Sequence, residues 1–415
     1  MREKIQCYNQ LVLPYHLLQA FLAAVWYRFP ARKLKVIGVT GTNGKTTTSF
    51  MIWKMLTLSG RKTGLMTTVG WGVSEITPQV EHMTTASAFK LNKRMREIAD
   101  SGAEYLVLEV TSHALVQFRT LFVPFSVAVM TNVTHEHLDY HGTFEKYRDA
   151  KRRLFKKAEY GIVNADDESS VWFLKDVAEH LTYGINDGVL QAREIKVSPD
   201  GVAYRCGGTE SMPEMRIRTQ IPGRFNVYNS LAAVGVGLHL GLSGKEIASG
   251  IQALEAVEGR MNRVECGQDF GVIVDYAHTP DAFLKVFESI GEVPGRVIAL
   301  FGGAGRRDET TRFSRGEIGG READVVIITE DDSRDEDPLS IAEQFVEGAK
   351  AAGKVLDRDL FVELDREKAI RLALSMAAKG DLVLVLGKGH EKTILRADGA
   401  HEFEDLKVVE KVLGE

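Results

Sequence analysis

The residue types that bind the phosphates of a nucleotide lie together in one short segment, which consists of Gly41, Thr42, Asn43, Gly44, Lys45, Thr46 and Thr47. Its glycines allow the backbone to wrap closely around phosphate oxygens, Lys45 can reach β- and γ-phosphates, and the Thr46 hydroxyl can ligate magnesium. The first glycine of the standard loop would fall at Val39, so the spacing departs from that pattern. The segment nevertheless predicts a site for ATP and magnesium rather than an ordinary glycine turn.

The elements on both sides of this segment would place it at the edge of a sheet. The apolar residues 36–39 predict a buried strand, and residues 47–58 predict a helix. The N-terminus of such a helix presents free N–H groups and a partial positive charge, which suit a phosphate. Further apolar runs at 105–110, 125–130 and 161–164 alternate with helical stretches. This alternation predicts a mainly parallel sheet flanked by helices.

Polar residues occur where these predicted strands end. Glu109 closes one strand, Asn132 follows the next, and the stretch from Thr131 to His141 is dense in residues that can bind a metal or a phosphate. Ligands of a parallel sheet bind at the carboxyl ends of its strands. We therefore expect Glu109 and Asn132 to lie beside the glycine segment, with Glu109 as a cation ligand.

The second half of the chain repeats this organisation after an interruption. Residues 189–218 contain short, alternating, glycine-rich segments that predict β-hairpins, and helices are predicted at 229–240 and 244–254. Four further strands are predicted at 272–275, 297–301, 325–329 and 382–386. Polar loops follow three of these strands, at 275–280, 302–308 and 387–391. Their common position at strand ends predicts that they share one site.

Length and charge limit the classes of protein to which the chain can belong. It has 415 residues, which suggests about two to three domains, with a net charge of −5 and a pI of about 6.2. No bulk basic surface favours nucleic acid as a partner. The cysteines Cys7, Cys206 and Cys266 are far apart and odd in number, so neither a metal site nor a disulfide framework is predicted. A reducing cytoplasm fits this pattern.

The N-terminal segment from Leu11 to Phe29 is apolar and aromatic, but polar residues interrupt it. Its uninterrupted apolar sequence is too short for a membrane span, and no cleavage site of a secretory signal is evident. The favoured prediction is an amphipathic helix that packs on the first domain. An interfacial membrane helix, flanked by the cations of Arg28, Arg32, Lys33 and Lys35, is the less favoured alternative.

Seven short motifs, in matching order, resemble the Mur ligase family: GTNGKT, EVTSHALVQFR, TNVTHEHLDYHG, GRFNVYN, EGRM, DYAHTPD and GKGHE. The resemblance runs from about Lys35 to the C-terminus. Within the family, it is strongest to the ligases that add a diamino acid to UDP-N-acetylmuramoyl-L-Ala-D-Glu. It implies an ATP-binding α/β domain of the P-loop ATPase type at residues 35–257. A smaller Rossmann-like α/β domain at residues 258–415 would bind the incoming amino acid.

The resemblance also implies a reaction and its cofactors. ATP would convert a carboxylate of the muramoyl peptide into an acyl phosphate. An amine of the diamino acid would then attack it to form an amide, as in peptidoglycan precursor synthesis. Magnesium ions, of which two are expected, and Lys45 would offset the repulsion between the carboxylate and the γ-phosphate. A site divided between two domains would close to exclude water.

Site residues follow from the resemblance, residue by residue. Lys45, Glu109, His137 and Lys151 are expected to be catalytic, and the expected magnesium ligands are Thr46, Glu109, His137 and a carbamylated Lys151. The muramoyl-peptide acceptor is expected at Thr84, Thr85, Ser112 and Arg119. Further nucleotide-contacting or cleft-lining positions are Asn226, Asn229, Arg260, Asp275 and His278. The incoming amino acid is expected at Arg307, Asp332, Arg334, Gly387 and Glu391.

Two departures from the family pattern leave the substrates open. The family normally carries an N-terminal domain that holds the UDP group, whereas residues 1–34 are too few for one and predict a helical segment in its place. The acceptor can therefore carry UDP or a lipid. The family signature for meso-diaminopimelate is Asp-Asp-Asn-Pro-Arg, where this chain has Glu-Asp-Asp-Ser-Arg at 330–334. Arg334 suits an amino-acid carboxylate, but the charge of Asp332 favours a cationic amine, so diaminopimelate, lysine and another diamino acid stay open.

Two other functions compete with this one. A folylpolyglutamate synthetase is another ligase of the superfamily that uses a related loop and lacks the UDP-binding domain. The motifs at 109–119 and 387–391 favour the muramoyl type over it. A non-catalytic ATP-binding partner subunit is disfavoured, because all four expected catalytic residues are present.

Overall fold

The structure, a computed structural model, describes residues 12–79, 83–198, 200–207, 214–307 and 309–415. Residues 1–11 of the predicted N-terminal segment, with Cys7, lie outside the described residues, as does Asp308 of the predicted polar loop. The chain divides into two compact units, Met1–Glu255 and Ala256–Glu415. No helix in the described ranges combines the length and the apolar composition that crossing a bilayer requires.

A nine-stranded sheet forms the centre of the first unit. Its strands are β1 (Lys35–Thr40), β2 (Thr63–Met66), β3 (Gly70–Gly72), β4 (Ile76–Pro78), β5 (Tyr105–Glu109), β6 (Phe125–Met130), β7 (Ala158–Asn164), β8 (Glu179–Gly184) and β9 (Leu190–Gln191). Their order in the sheet is β4-β3-β2-β5-β1-β6-β7-β8-β9. The pairs β2–β3 and β3–β4 are antiparallel, and the other pairs are parallel. The mainly parallel sheet predicted from the sequence is confirmed.

Helices cover this sheet, and a small antiparallel sheet follows it in the chain. The helices are α1 (Leu13–Trp26), α2 (Lys45–Leu58), α3 (Ala88–Asp100), α4 (Ser112–Val116), α5 (Leu138–His141), α6 (Phe144–Phe155), α7 (Ser170–Leu174), α8 (Phe225–His239) and α9 (Gly244–Gln252), with a 3-10 turn at Pro30–Lys33. The small sheet consists of β10 (Arg193–Ser198), β11 (Gly201–Cys206) and β12 (Met215–Thr219). Its antiparallel pairing confirms the hairpins predicted for this region.

The second unit is a smaller α/β structure. Its strands are β13 (Asn262–Arg263), β14 (Gly271–Asp275), β15 (Val297–Phe301), β16 (Val325–Ile328), β17 (Leu360–Val362), β18 (Leu382–Leu386), β19 (Thr393–Arg396) and β20 (Gly399–Glu402). The first six form a sheet in the order β13-β14-β18-β15-β16-β17, which is parallel except for β13, and the last two form a hairpin. Its helices are α10 (Pro280–Ile290), α11 (Thr310–Glu322), α12 (Pro338–Ala351), α13 (Arg366–Met376) and α14 (Asp405–Leu413). The prediction that the second part of the chain has an α/β fold is confirmed.

A buried ion pair fixes the strand ends of the second unit. Arg366 of α13 donates to both carboxylate oxygens of Asp405 on α14, at 2.7 and 2.8 Å, and both side chains are fully buried. The same guanidinium donates to the carbonyls of Leu386 and Glu330, at 3.0 and 3.2 Å. Because an arginine presents donors in a rigid fork, this single side chain holds the end of β18 beside the loop that follows β16.

Candidate functional site

The glycine segment is packed so tightly that two of its positions have no room for a side chain. A Cβ atom on Gly41 would lie 1.8 Å from the Thr131 hydroxyl, and one on Gly44 would lie 2.2 Å from the Asn229 amide oxygen. Gly44 also has a φ of +83°, which glycine adopts most readily. The backbone of the segment therefore rests against the end of β6 and against α8, immediately before α2 begins at Lys45.

Residues at the end of β6 hold the glycine segment in place. The Asn132 amide accepts a hydrogen bond from the Asn43 N–H at 2.9 Å and donates to the Asn43 carbonyl at 3.0 Å. Thr131 donates to the same carbonyl at 2.7 Å, and the Lys45 ammonium donates to the Thr42 carbonyl, also at 2.7 Å. The predicted proximity of Asn132 and the segment is confirmed. With the N-terminus of α2, this backbone geometry suits the binding of phosphate groups.

The carboxylate of Glu109 links this segment to strand β5. It is buried, and one of its oxygens accepts hydrogen bonds from the Thr46 hydroxyl at 3.1 Å, the Thr68 N–H at 3.1 Å and the Thr68 hydroxyl at 3.2 Å. The predicted proximity of Glu109 and the segment is confirmed. Magnesium prefers hard oxygen ligands, so a carboxylate and a hydroxyl beside a phosphate loop fit that ion. No motif in the sequence pointed to Thr68, although it follows β2 at the same edge of the sheet.

The histidines of the stretch that follows β6 lie in different environments. The His137 backbone has a φ of +56°, a strained value for histidine, and its ring lies 4.7 Å from the His113 ring. His135 stacks on Phe144 at 4.7 Å. His141 lies 3.0 Å from the Ser112 hydroxyl, and burial, followed by the charge of His137, lowers its pKa to about 3. His141 is therefore a neutral hydrogen-bonding group at physiological pH.

Lys151 reaches the glycine segment from within the protein. Helix α6 buries Tyr147, Lys151 and Leu154, which lie on one face of the helix. The Lys151 ammonium donates to the Gly41 carbonyl at 2.6 Å and lies 4.4 Å from the centre of the Tyr147 ring. Burial, and then the charge of Lys45, lower the pKa of Lys151 well below its usual value. Among the described residues, it forms no ion pair.

Two buried asparagines of α8 support the other side of the segment. The Asn229 amide donates to the Asn226 amide oxygen at 2.8 Å and accepts from the Thr48 hydroxyl at 3.4 Å. Asn226 in turn donates to the Pro222 carbonyl at 2.6 Å. Both asparagines were expected to contact the nucleotide. Asn229 lies directly against Gly44 of the phosphate loop, and Asn226 holds the Asn229 amide in place.

Residues expected to bind the acceptor gather at the end of β5. The Thr68 hydroxyl lies 2.9 Å from the Thr84 hydroxyl, and the Thr85 hydroxyl donates to the Glu109 carbonyl at 2.9 Å. Arg119 donates to the Thr85 carbonyl at 2.5 Å and is oriented by Gln117, whose amide oxygen accepts two of its N–H groups. Burial lowers the pKa of Arg119. One hydrogen-bonded network therefore connects the phosphate loop, Glu109 and these residues.

In the second unit, charged residues surround Lys388, to which no motif in the sequence assigned a role. Its fully buried ammonium donates to Asp331 at 3.2 Å, to Asp332 at 2.8 Å and to Glu391 at 2.8 Å. Burial opposes the charge of Lys388, but the three carboxylates outweigh it and raise its pKa. Burial raises the pKa of Asp332. With all groups ionised, three negative charges and one positive charge leave the cluster negative.

Arg334 lies against the glycine-rich turn that follows β15. It donates to the Gly305 carbonyl at 3.0 Å, its backbone has a strained φ of +55°, and the Gly305 N–H donates to the Asp332 carbonyl at 2.7 Å. Arg307, in the same turn, is exposed. A cavity of about 590 Å³ opens beside Arg334. It is lined by a second arginine, Arg396, which pairs with Glu330 at 2.7 Å, and by six acidic side chains, which are Glu330, Asp335, Glu336, Asp337, Asp365 and Asp398. This environment suits a ligand that combines a carboxylate with cationic amines.

Two of the three polar loops predicted to share a site, at 275–280 and 387–391, meet within the second unit, beside Arg260. Arg260 lies over the Tyr276 ring at 4.7 Å, and the Tyr276 hydroxyl donates to Glu391 at 3.2 Å. His278 lies 2.8 Å from the Tyr276 carbonyl through Nδ1. Asp275 accepts from two backbone N–H groups, and burial raises its pKa. The Gly387 N–H donates to the Asp275 carbonyl at 3.0 Å, which closes this set of loops.

Two sequence families match the chain. The family described as Mur ligase middle domain matches residues 39–237. The family described as Mur ligase, glutamate ligase domain matches residues 259–389. Together the two matches cover more than half of the chain, and each of them falls within one of the two compact units.

Curated relatives of known name are similar over most of the chain. It is 39% identical over 415 residues to a UDP-N-acetylmuramyl-tripeptide synthetase of Roseiflexus sp. (strain RS-1), and the match covers 95% of this chain and 81% of the relative. It is also 39% identical over 402 residues, with the same coverage, to a UDP-N-acetylmuramoyl-L-alanyl-D-glutamate--2,6-diaminopimelate ligase of Syntrophomonas wolfei subsp. wolfei (strain DSM 2245B / Goettingen).

One solved structure bears on the competing function. A folylpolyglutamate synthase of Mycobacterium tuberculosis, complexed with ADP and AMPPCP, matches with a TM-score of 0.73 at 16% identity. The match covers 100% of this chain and 99% of that chain. At this identity the likeness shows a common fold, and it does not favour the synthase's activity over any other.

Proposed function

The chain belongs to the Mur ligase family and is an ATP-dependent ligase of C–N bonds, and we propose that it joins a diamino acid to a muramoyl-L-Ala-D-Glu acceptor in peptidoglycan precursor synthesis. One observation carries the proposal most directly. The buried Glu109 carboxylate accepts hydrogen bonds from Thr46 of the phosphate loop and from Thr68, whose hydroxyl lies 2.9 Å from that of Thr84 in the expected acceptor site. Phosphate, cation and acceptor would therefore meet around one carboxylate.

The proposed chemistry has two steps. A carboxylate oxygen of the acceptor attacks the γ-phosphorus of ATP, the bond to the β-phosphate oxygen breaks, and an acyl phosphate and ADP form. The neutral amine of the diamino acid then attacks the acyl carbon, phosphate leaves, and the nitrogen loses a proton. Lys45 and the N–H groups at the start of α2 stabilise the negative charge that collects on the phosphate during the first step.

Magnesium fits the residues beside the phosphate loop. Thr46 and Glu109 would hold one ion, and His137 would contribute to the set as a neutral nitrogen ligand. When bound, magnesium neutralises charge on the phosphate oxygens. The chain's own contribution is the buried carboxylate, which Thr68 orients through two hydrogen bonds.

We also propose that Lys151 is carbamylated. Its buried position, without an ion pair among the described residues, and its lowered pKa support a neutral amine. A neutral amine attacks carbon dioxide, forms an N–C bond and releases one proton, which converts the neutral side chain into an anionic one. The carbamate would lie near Gly41 of the phosphate loop, where it would support a second magnesium ion.

The acidic cavity beside Arg334 supports a diamino acid as the second substrate. Arg334 would bind its α-carboxylate, and the surrounding carboxylates would attract its ammonium groups. The negative cluster around Lys388 would disfavour a second carboxylate, which separates lysine-like from diaminopimelate-like substrates. We place the reaction in the cytoplasm, in agreement with the free thiols of Cys206 and Cys266.

Removal of the Arg334 side chain will weaken amino-acid binding selectively. Loss of a charge-assisted pair with the α-carboxylate should raise the KM for the diamino acid by about thirtyfold or more, with the KM for ATP nearly unchanged. Steady-state kinetics of Arg334→Ala with each substrate varied in turn would measure both values. Arg321→Ala, which alters an exposed arginine of α11, is the matched control. An unaltered amino-acid KM in Arg334→Ala would reject this assignment.

Neutralisation of Asp332 will change which diamino acid is preferred. Asp332→Asn removes one of three carboxylates around Lys388, so the repulsion of a second substrate carboxylate decreases. The kcat/KM ratio of diaminopimelate to lysine should rise by about tenfold or more. Competition between the two amino acids in one reaction would measure this ratio. Glu347→Gln, at an exposed position of α12, should leave it unaltered, and an equal ratio in Asp332→Asn would refute the proposed role.

A direct assay tests the proposed function as a whole. The purified chain, ATP and magnesium would be incubated with UDP-N-acetylmuramoyl-L-Ala-D-Glu and a panel of diamino acids, and products would be identified by mass spectrometry. The proposal predicts a new amide and one phosphate released for each amide formed. Amide formation with a polyglutamyl folate and glutamate, and none with the muramoyl dipeptide, would favour the competing synthetase instead.

A further inference from the structure

Helix α1 buries its small residues and exposes its large apolar ones, which is the reverse of the usual pattern. Its buried residues are three alanines, Ala20, Ala23 and Ala24, each 1% exposed or less. Its exposed residues include seven large apolar side chains, which are Tyr15, Leu17, Leu18, Phe21, Leu22, Val25 and Trp26. We call these seven side chains the apolar face. A helix that only covers its own domain buries its large apolar residues, because their burial stabilises most.

The apolar face is contiguous, and this makes it unusual on a folded protein. Single exposed apolar residues are common, whereas large contiguous patches mark interaction sites. The alanine side of α1 is already occupied, since Ala20 and Ala23 pack with Ala88 and against Phe118 and Leu121. Trp26, at the end of the helix, is 76% exposed. The helix is therefore held on its domain by small residues, with its large residues directed outward.

The sequence around the apolar face carries positive charge only. Between Glu3 and Glu75 there is no aspartate or glutamate, although the whole chain has a net charge of −5. Four exposed cations follow the helix directly, namely Arg28, Arg32, Lys33 and Lys35. The guanidinium of Arg32 lies 4.4 Å from the centre of the Phe29 ring, which holds it near the end of the helix. A partner for this surface must therefore offer apolar volume together with negative charge.

We propose that the apolar face docks on an anionic lipid surface, with α1 lying in the plane of the interface. A bilayer with anionic headgroups offers an apolar acyl region beneath a negatively charged surface, and amphipathic helices bind to both. Tyr15 and Trp26, at opposite ends of the face, are residue types that prefer the boundary between headgroups and acyl chains. A second copy of the chain fits less well, since it would bring the same four cations towards each other.

Docking has a consequence for the rest of the first unit. Helix α1 packs against Ala88 at the start of α3. Burial lowers the pKa of His16 on α1, and the nearby charge of Arg119 lowers it further. Arg119 of the proposed acceptor site therefore lies near the helix that would face the lipid. The inference rests on the packing and charge of α1, and it stands whether or not the proposed activity is correct.

The test is sedimentation of the full chain with vesicles. Wild-type protein should sediment with vesicles of mixed phosphatidylcholine and phosphatidylglycerol, more weakly with phosphatidylcholine alone, and less as salt increases. The variant Leu18→Gln/Phe21→Gln/Leu22→Gln and the variant Arg28→Gln/Arg32→Gln/Lys33→Gln should each lower partitioning into the mixed vesicles, the second by about a hundredfold. The control Val189→Gln/Val197→Gln/Val355→Gln changes apolar residues that are exposed elsewhere and should bind like wild type.

Folding of each variant is checked by its thermal melting temperature, which substitutions on an exposed face should leave nearly unchanged. Failure of the wild-type chain to sediment with anionic vesicles would overturn the proposal. Equal binding to neutral and anionic vesicles, or an unaltered partition in the apolar-face variant, would also overturn it. Concentration-dependent dimerisation that is lost in the same variant, without vesicle binding, would instead identify a second copy as the occupant.

Discussion

Replacement of Lys45 by alanine will abolish amide formation and leave the protein folded. The ammonium stabilises charge on the γ-phosphate as the acceptor carboxylate approaches it, so kcat should fall by about a thousandfold or more. Among the described residues, the ammonium donates one hydrogen bond, to the Thr42 carbonyl, and a hydrogen bond from a charged group contributes about 1.5–3 kcal/mol to stability. Amide formation under saturating substrates, together with a thermal melting curve, would measure both effects.

The neighbouring Lys54 provides the matched control for this prediction. It lies on the same helix, α2, away from the glycine segment. Lys54→Ala removes the same charge from the same element, and it should therefore retain nearly full turnover. If a folded Lys45→Ala protein turned over at a rate close to wild type, the segment at 41–47 would not be the site of phosphoryl transfer.

Replacement of Lys151 by alanine will remove most activity through a different route. The proposed carbamate would be lost, and with it an anion beside the phosphate loop, so turnover should fall by about a hundredfold or more. A short carboxylic acid, such as formate or acetate, should restore part of the activity because it can occupy the vacated space with the same charge. Rates measured with and without the added acid would test this expectation.

Two further measurements separate a carbamate from an ordinary buried lysine. Wild-type protein supplied with ¹³C-labelled carbon dioxide should show a carbamate carbon signal by NMR that Lys151→Ala lacks. Lys146→Ala, on the same helix at an exposed position, should keep both the signal and the activity. An unmodified Lys151 in a structure with nucleotide and magnesium bound, combined with full activity in Lys151→Ala, would exclude the carbamate.

The strands that position the first site could be predicted because they are buried on both faces. Strands β1, β5 and β6 form continuous apolar runs in the sequence, and a parallel sheet produces that pattern. The short strands β3 and β4 were not predicted, since three residues each are too few to establish a period. Helix α1 packs on Ala88 of the first unit through alanines, and the sequence did not indicate that alanines would form its buried side.

Part of the candidate site depended on sheet register and could not be inferred from motifs. Thr68 reaches Glu109 because β2 pairs with β5 in a register that places Met66 beside Leu108. Lys388 is surrounded by carboxylates because its loop follows β18, and Asp331 and Asp332 come from the loop after β16. The sequence predicted that the Asp332 carboxylate faces the substrate, whereas in the structure this carboxylate forms an ion pair with Lys388. These side-chain contacts depend on which strands are neighbours in the sheet, and a single sequence motif does not reveal that.

Transfer of oxygen from the acceptor to phosphate tests the central claim most directly. The muramoyl dipeptide would be labelled with ¹⁸O in its reacting carboxylate and incubated with the chain, ATP, magnesium and the preferred diamino acid. If the carboxylate is phosphorylated before the amine attacks, the released phosphate will carry one ¹⁸O atom, as mass spectrometry will show. Amide formation with unlabelled phosphate, or release of phosphate from ATP without any amide, would contradict the assignment of this chain as an acyl-phosphate-forming ligase.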